Sequence, residues 1–236
     1  MQMKFQSSQP VGQIVAAYPG AAMLFKRYNI DFCCGGGKPL AEALADRGIS
    51  EQGFVGELHE AYQAYLNRGA LELDWREEPL GALADHIVTA HHQYLRQALP
   101  ALSGFVAKVD RVHGDRHPEL RLVNESFHRL KQELEEHMAA EEALLFPVIR
   151  TYEETGARAD LDRALQTLAE LEAEHAEAGG ILASIRQATG DYRLPPDACR
   201  TYMVTYHELA ELESDMFMHI HLENNILFAR LRQAAG

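Results

Sequence analysis

Two stretches of this sequence pair an imidazole with a carboxylate where a helix should carry core residues. In HMAAEEALLFP, from His137 to Pro147, and in HIHLENNILFA, from His219 to Ala229, a His precedes a Glu by four residues and an apolar segment follows. On a helix that spacing places both groups on one face, about one turn apart. The chemistry open to such a pair in a core is metal ligation, because a bare carboxylate buried among leucines costs several kcal/mol unless a cation or a hydrogen-bond partner offsets it. A different chemistry is offered by Cys33 and Cys34, adjacent in DFCCGGGKP, where a glycine-rich loop enters a helix beginning at Pro39. Backbone N–H groups collected at a helix start, with Lys38 beside them, favour thiolate. Two reactive thiols for redox exchange, metal delivery or labile ligation are the expectation; two small apolar residues closing a mini-domain are the competing reading. A disulfide between chain neighbours is strained and is not expected.

The elements that must position these residues are helices. Four long helical patterns cover residues 80–112, 118–152, 160–189 and 196–233, broken at GDRHP, ETGARAD and ATGDYRLPP, and no strand-like alternation competes with them. Along the second, Val123, Phe127, Leu130, Leu134, His137, Glu141, Leu144 and Val148 step by threes and fours as a core-facing seam does. The fourth repeats this with Leu209, Leu212, Met216, His219, Glu223 and Ile226. In the third, His175 sits between Leu168 and Leu182; in the first, the seam Val88, His92, Leu95, Leu99 selects His92, while His91 falls on an adjoining stripe through Leu83 and Ile87.

The four positions form an internal repeat: His92 to His137 is 45 residues and His175 to His219 is 44, so each half is a single-His helix followed by an HxxxE helix. Helical bundles hold dinuclear metal sites with side chains from facing helices, and carboxylates bridge such ions. Four imidazoles and two carboxylates without a thiolate point to non-haem iron, with manganese or zinc as alternatives, at two metals per chain and with coordination positions left open for small ligands. The remaining histidines, His59, His86, His113, His117, His128, His207 and His221, lie off the seams or in loops and are read as ordinary. Glu174 and Glu142 flank ligand candidates, and either could support a ligand from behind, with Glu142 read first as part of a solvated helix face.

Residues 1–68 read as short helices forming a small domain, ALELDWREE as a linker ending at Pro79, and 79–236 as the bundle, so the fold class is all-α. A net charge of −13 without any Lys/Arg cluster argues against nucleic acid and anionic membrane as partners. Neither a spanning apolar run nor a signal-peptide pattern is present, and three cysteines make no secreted disulfide framework, so a cytoplasmic protein is expected.

Taken together, DFCCGGGKPLAEA, HMAAEEALLFP, AEHAEAGG and HIHLENNILF resemble the repair-of-iron-centres family, the YtfE and ScdA type, over nearly the whole chain. The resemblance implies an N-terminal ScdA-like helical domain with vicinal cysteines and a hemerythrin-like four-helix bundle with a non-haem di-iron centre (2 Fe per chain). It implies metal ligands at His92, His137, Glu141, His175, His219 and Glu223, an approach of Glu174 to the metals as an additional ligand, and transfer or redox roles for Cys33 and Cys34. The implied function is repair of iron–sulfur clusters damaged by nitrosative or oxidative stress, through iron donation or small-oxidant removal, with damaged iron–sulfur proteins and small ligands such as nitric oxide or oxygen as partners. An oxygen or nitric oxide carrier or sensor, and a nitric oxide reductase, are the alternatives. An exposed dithiol loop makes a homodimer reasonable.

Overall fold

The computed structural model describes residues 5–67 and 73–236; the expected boundary at 68 and the first residues of the linker, 70–72, lie outside the described residues. Every regular element among the described residues is helical, apart from an isolated bridge between Pro10 and Pro39. None of these helices is long and apolar enough to cross a membrane. The chain divides into two compact units, one of residues up to Leu83 together with Phe217–Gly236, the other Ala84–Met216. In this division the C-terminal segment is grouped with the cysteine domain.

In the first unit, the chain from Val11 to Arg27 forms two helices and not one, α1 (Val11–Ala17) and α2 (Ala21–Arg27). Pro19 is the reason: it cannot donate to the preceding turn, and the chain breaks at Tyr18. Helices α3 (Leu40–Ala45) and α4 (Glu51–Asn67) follow. Their core is aromatic, with Phe25 against Phe32 and Phe54, and Tyr18 against Phe5 and Tyr62. The cysteine loop is strapped to the start of α1, where Val11 N–H donates to Lys38 O at 2.9 Å and Gly12 N–H to Gly36 O at 2.8 Å.

Helix α5 (Leu80–Ile87) leads to α6 (Gln93–His113), followed by α7 (Glu119–Ala140), α8 (Phe146–Thr155), α9 (Arg158–Ala188), α10 (Arg200–His221) and α11 (Phe228–Ala235). Within the second unit, α6 packs on α7, and α9 packs on both α7 and α8. The fold is a hemerythrin-like four-helix bundle preceded by a small helical domain. Inward-facing leucines supply its core: Leu95, Leu99 and Leu102 on α6, Leu130 and Leu134 on α7, Leu168 and Leu182 on α9, Leu209 and Leu212 on α10. Each such side chain taken from water is worth about 1.5–3 kcal/mol.

Three of the long helices are interrupted by a π turn: Val88–His92, Glu141–Leu145 and Leu222–Leu227. A π turn holds one residue more than an α turn, so everything beyond it is rotated by about one residue relative to the seam before it. The expected seam therefore fails beyond Glu141: Leu144 is 63% exposed and Val148 half-buried, while Leu145, Phe146 and Ile149 are buried instead. The same shift explains the rivalry between His91 and His92. The buried stripe before the turn runs through Ile87, the one after it through Leu95 and Leu99, and His92 stands at the junction.

Candidate metal centre

Each π turn coincides with a ligand candidate. His92 closes the first, Glu141 opens the second and Glu223 is the second residue of the third. The wider turn loosens the backbone spacing where a side chain must reach inward, which is why such turns recur at functional sites.

In the second unit, four of the expected residues converge. The fully buried Glu141 carboxylate has its Oε2 3.4 Å from Nε2 of His92 and 3.4 Å from Nε2 of His137. His175 brings its Nε2 within 2.9 Å of His137 Nε2. Ligand-capable atoms of His137, Glu141 and His175 lie within 4.8 Å of one another. Helices α6, α7 and α9 each contribute to this cluster, as the seams require.

The outer ring nitrogens are held by carboxylates. Nδ1 of His92 lies 2.6 Å from Oε1 of Glu142, which Arg96 also contacts at 2.7 Å; Nδ1 of His137 lies 2.5 Å from Oε2 of Glu174. A carboxylate at Nδ1 fixes the proton there and leaves the Nε2 lone pair facing inward. Burial favours the neutral form of Glu142, but hydrogen bonds from His92 and Arg96 outweigh it and hold its carboxyl below the usual range. Glu142 is therefore not a member of a solvated face; it orients His92. Glu174 likewise meets the far nitrogen of His137. His91 stands apart, its Nδ1 2.8 Å from Asp215.

Inward imidazole lone pairs around a buried carboxylate make a set of acceptors that a cation would neutralise, and the residues present fit a non-haem metal. An open pocket of 340 Å³, lined by Glu133, Glu136, Glu174 and Glu177, reaches His137 and His175. Its carboxylates favour cations over anions at this approach.

The other HxxxE pair belongs to the first unit. His219 Nε2 lies 3.0 Å from Glu223 Oε1, one turn apart on a helix end buried around most of its girth. His221, expected to be an ordinary off-seam residue, is itself buried, with its ring edge-on to Phe32 at 5.8 Å. Burial pushes its pKa down to about 4, the nearby Phe32 backbone countering only in part, so it is neutral at physiological pH. An apolar partner at Phe32 was not legible in the local sequence around His221.

The cysteine loop differs from its expected electrostatics. Asp31 takes the loop's donors: the N–H groups of Cys33, Cys34 and Gly35 reach its carboxylate at 3.0, 3.0 and 2.9 Å. Lys38 is paired with Asp46 at 2.7 Å. The Cys33 thiol is buried, 3.3 Å from Asp31 and 3.8 Å from the Cys34 sulfur. Its hydrogen bond with Cys34, then burial and the neighbouring negative charges, push its pKa well above the usual thiol range. The expected thiolate stabilisation is thus reversed at Cys33, because Asp31 occupies the N–H groups that were to serve it. Cys34 is exposed. Cys199, also exposed, lies 3.2 Å from Nε2 of His113 in the second unit.

Residues 83–231 match the hemerythrin HHE cation binding domain, a span that includes all six expected ligands, and residues 7–62 match ScdA_N, a domain of unknown function that includes both loop cysteines. Among curated relatives, the iron-sulfur cluster repair protein YtfE of Shigella boydii serotype 4 is 37% identical over 222 residues, covering 94% of this chain and 96% of the relative. The protein of the same name from Escherichia coli strain K12 gives the same identity and coverage.

Proposed function

We propose that this chain, which belongs to the family of the YtfE iron-sulfur cluster repair proteins, restores iron–sulfur clusters damaged by nitrosative or oxidative stress. The observation that carries this reading is the convergence of His92, His137 and His175 on the buried Glu141, in a chain that also carries two vicinal thiols. In the proposed centre, His219 and Glu223 complete the ligand set and two iron ions are held per chain. The sequence repeat of His followed by HxxxE, and a matched domain that spans both halves, support the pairing.

When bound, the iron supplies redox chemistry and a labile metal for delivery. This chain's own residues do the rest. Glu142 and Glu174 accept at Nδ1 of His92 and His137 and so orient both rings with Nε2 aimed inward, and the bundle core excludes bulk water from Glu141. The carboxylates of the open pocket draw cations towards His137 and His175. Cys34, exposed on its loop, is the thiol that meets a damaged client, and Cys33 stands behind it.

The test is repair of a nitric oxide-treated iron–sulfur enzyme by anaerobically purified protein, with iron counted and examined by Mössbauer spectroscopy. About two irons per chain and recovery of client activity, lost in the double variant Cys33→Ala/Cys34→Ala with the iron retained, are the expected results. Reversible ligand binding without repair would replace this reading by a carrier or sensor, and catalytic formation of nitrous oxide by a reductase.

A further inference from the structure

Asn225 lies in the π turn Leu222–Leu227, two residues after Glu223, and its side chain points into the cysteine loop. Its amide Nδ2 donates to two successive carbonyls, Phe32 O at 3.2 Å and Cys33 O at 2.9 Å. Gly12 and Gly36 face the amide. A methyl group built on Gly12 or on Gly36 would fall inside the van der Waals envelope of the Asn225 amide, so both positions need glycine for the amide to seat. Phe32 is buried beneath this junction, edge-on to Phe217 at 6.0 Å as well as to His221. The Cys33 carbonyl is thus tied to the turn that carries Glu223, and the Cys33 thiol is buried in the same arrangement.

The geometry points to Asn225 as a positioning residue that holds Cys33 closed and couples the cysteine loop to the Glu223 turn, so that opening the thiol and loosening Glu223 are one event. The coupling to metal rests on Glu223 being a ligand, as proposed above; the hold on Cys33 does not. By linkage, whatever steadies the Glu223 turn lowers the exposure of Cys33, and whatever captures Cys33 weakens metal retention by the same factor. Engagement of the loop by a client would then release metal where it is needed, while the resting protein keeps it.

The experiment reads the alkylation rate of each cysteine by peptide mass spectrometry in the full-length protein, metal-free and loaded anaerobically with ferrous iron. Asn225→Asp keeps the shape of the side chain and removes both donated hydrogen bonds. In metal-free protein it should raise the Cys33 rate about tenfold, since opening of the loop limits access, while the exposed Cys34 and Cys199 change less than about twofold. Gly36→Ala, which unseats the amide without altering it, should do the same. In wild type, iron should slow Cys33 alkylation, and this protection should vanish in Asn225→Asp, with iron passing faster to a chelator. An unchanged Cys33 rate in both variants overturns the hold. Iron that binds wild type without slowing Cys33 overturns the coupling and leaves the proposed function standing; failure to bind iron removes that function and leaves the metal-free comparison to decide the hold.

Discussion

Nδ1 of His92 lies 2.6 Å from the carboxylate of Glu142, the residue that follows the buried Glu141 in the chain. Two successive glutamates on one π turn therefore serve the same imidazole from its two sides. Glu142→Gln keeps the shape and removes the charge. Loss of such a supporting carboxylate typically costs about 10–100-fold in metal affinity, and that decrease is expected in a chelator competition titration, with the metal-free protein melting as wild type does.

The second unit contains a buried ion pair away from the histidines. Glu213 is fully buried and accepts from Arg186 Nε at 2.8 Å, with a second contact from the guanidinium, while Arg186 also reaches Asp191 at 3.3 Å. Removing one partner of a buried pair strands the other. Arg186→Ala strands a carboxylate with no solvent access and should cost about 3 kcal/mol, lowering Tm by about 6–12 °C. Glu213→Ala strands a guanidinium that still reaches water and Asp191, so its Tm should fall by less. Equal losses in calorimetry would contradict this asymmetry.

Cys33 gives a pH prediction. Its folded pKa lies above the unfolded value, so its contribution to stability is present in full below the unfolded thiol pKa of about 8.5 and is lost as pH rises through the folded pKa. Chemical denaturation should show stability falling above about pH 8.5, and this component should be absent in Cys33→Ser. The alkylation rate of Cys33 should likewise climb only above the pH at which free cysteine in the same solution has already reacted.

Leu144 tests the π turn itself. It is exposed, so deleting it removes no core contact, but the extra residue of the turn is lost with it. If the helix then closes to α pitch, Leu145 and Ile149 fall three and seven residues after Glu141 and stay on the core face. Core packing beyond the turn should therefore survive with a small change in Tm, while metal binding falls because the turn opened by Glu141 is gone; Leu144→Ala should leave both close to wild type.

Much of this was legible beforehand. The four long helices ended where Gly and Pro punctuate the chain, and the apolar stripes led to His92, His137, Glu141 and His175, which the structure gathers in one core. Periodicity failed where the period itself changes. A 3.6-residue repeat extrapolated through Glu141–Leu145 selects Leu144 and Val148, because nothing local marks the extra residue. Partners distant in sequence were also hidden: Glu142 is 50 residues from His92, and Asn225 is 192 from Cys33. At the cysteine loop Asp31 and the helix start compete for the same N–H groups, and the local sequence pattern does not decide between them.

The grouping of Phe217–Gly236 with the cysteine domain bears on how such proteins could be rebuilt. A contiguous stretch ending near residue 68 looks like a cassette that could be fused to any bundle. It lacks the surface on which Phe32, Gly12 and Gly36 rest, and it lacks Arg230, whose guanidinium donates at 2.9 Å to the carbonyl of Trp75, 155 residues earlier. Recombination that exchanges only the N-terminal segment would join a thiol loop to a foreign helix end. Because the Asn225 amide seats against Gly12 and Gly36, the N-terminal segment and residues 217–236 should be grafted together in any chimera.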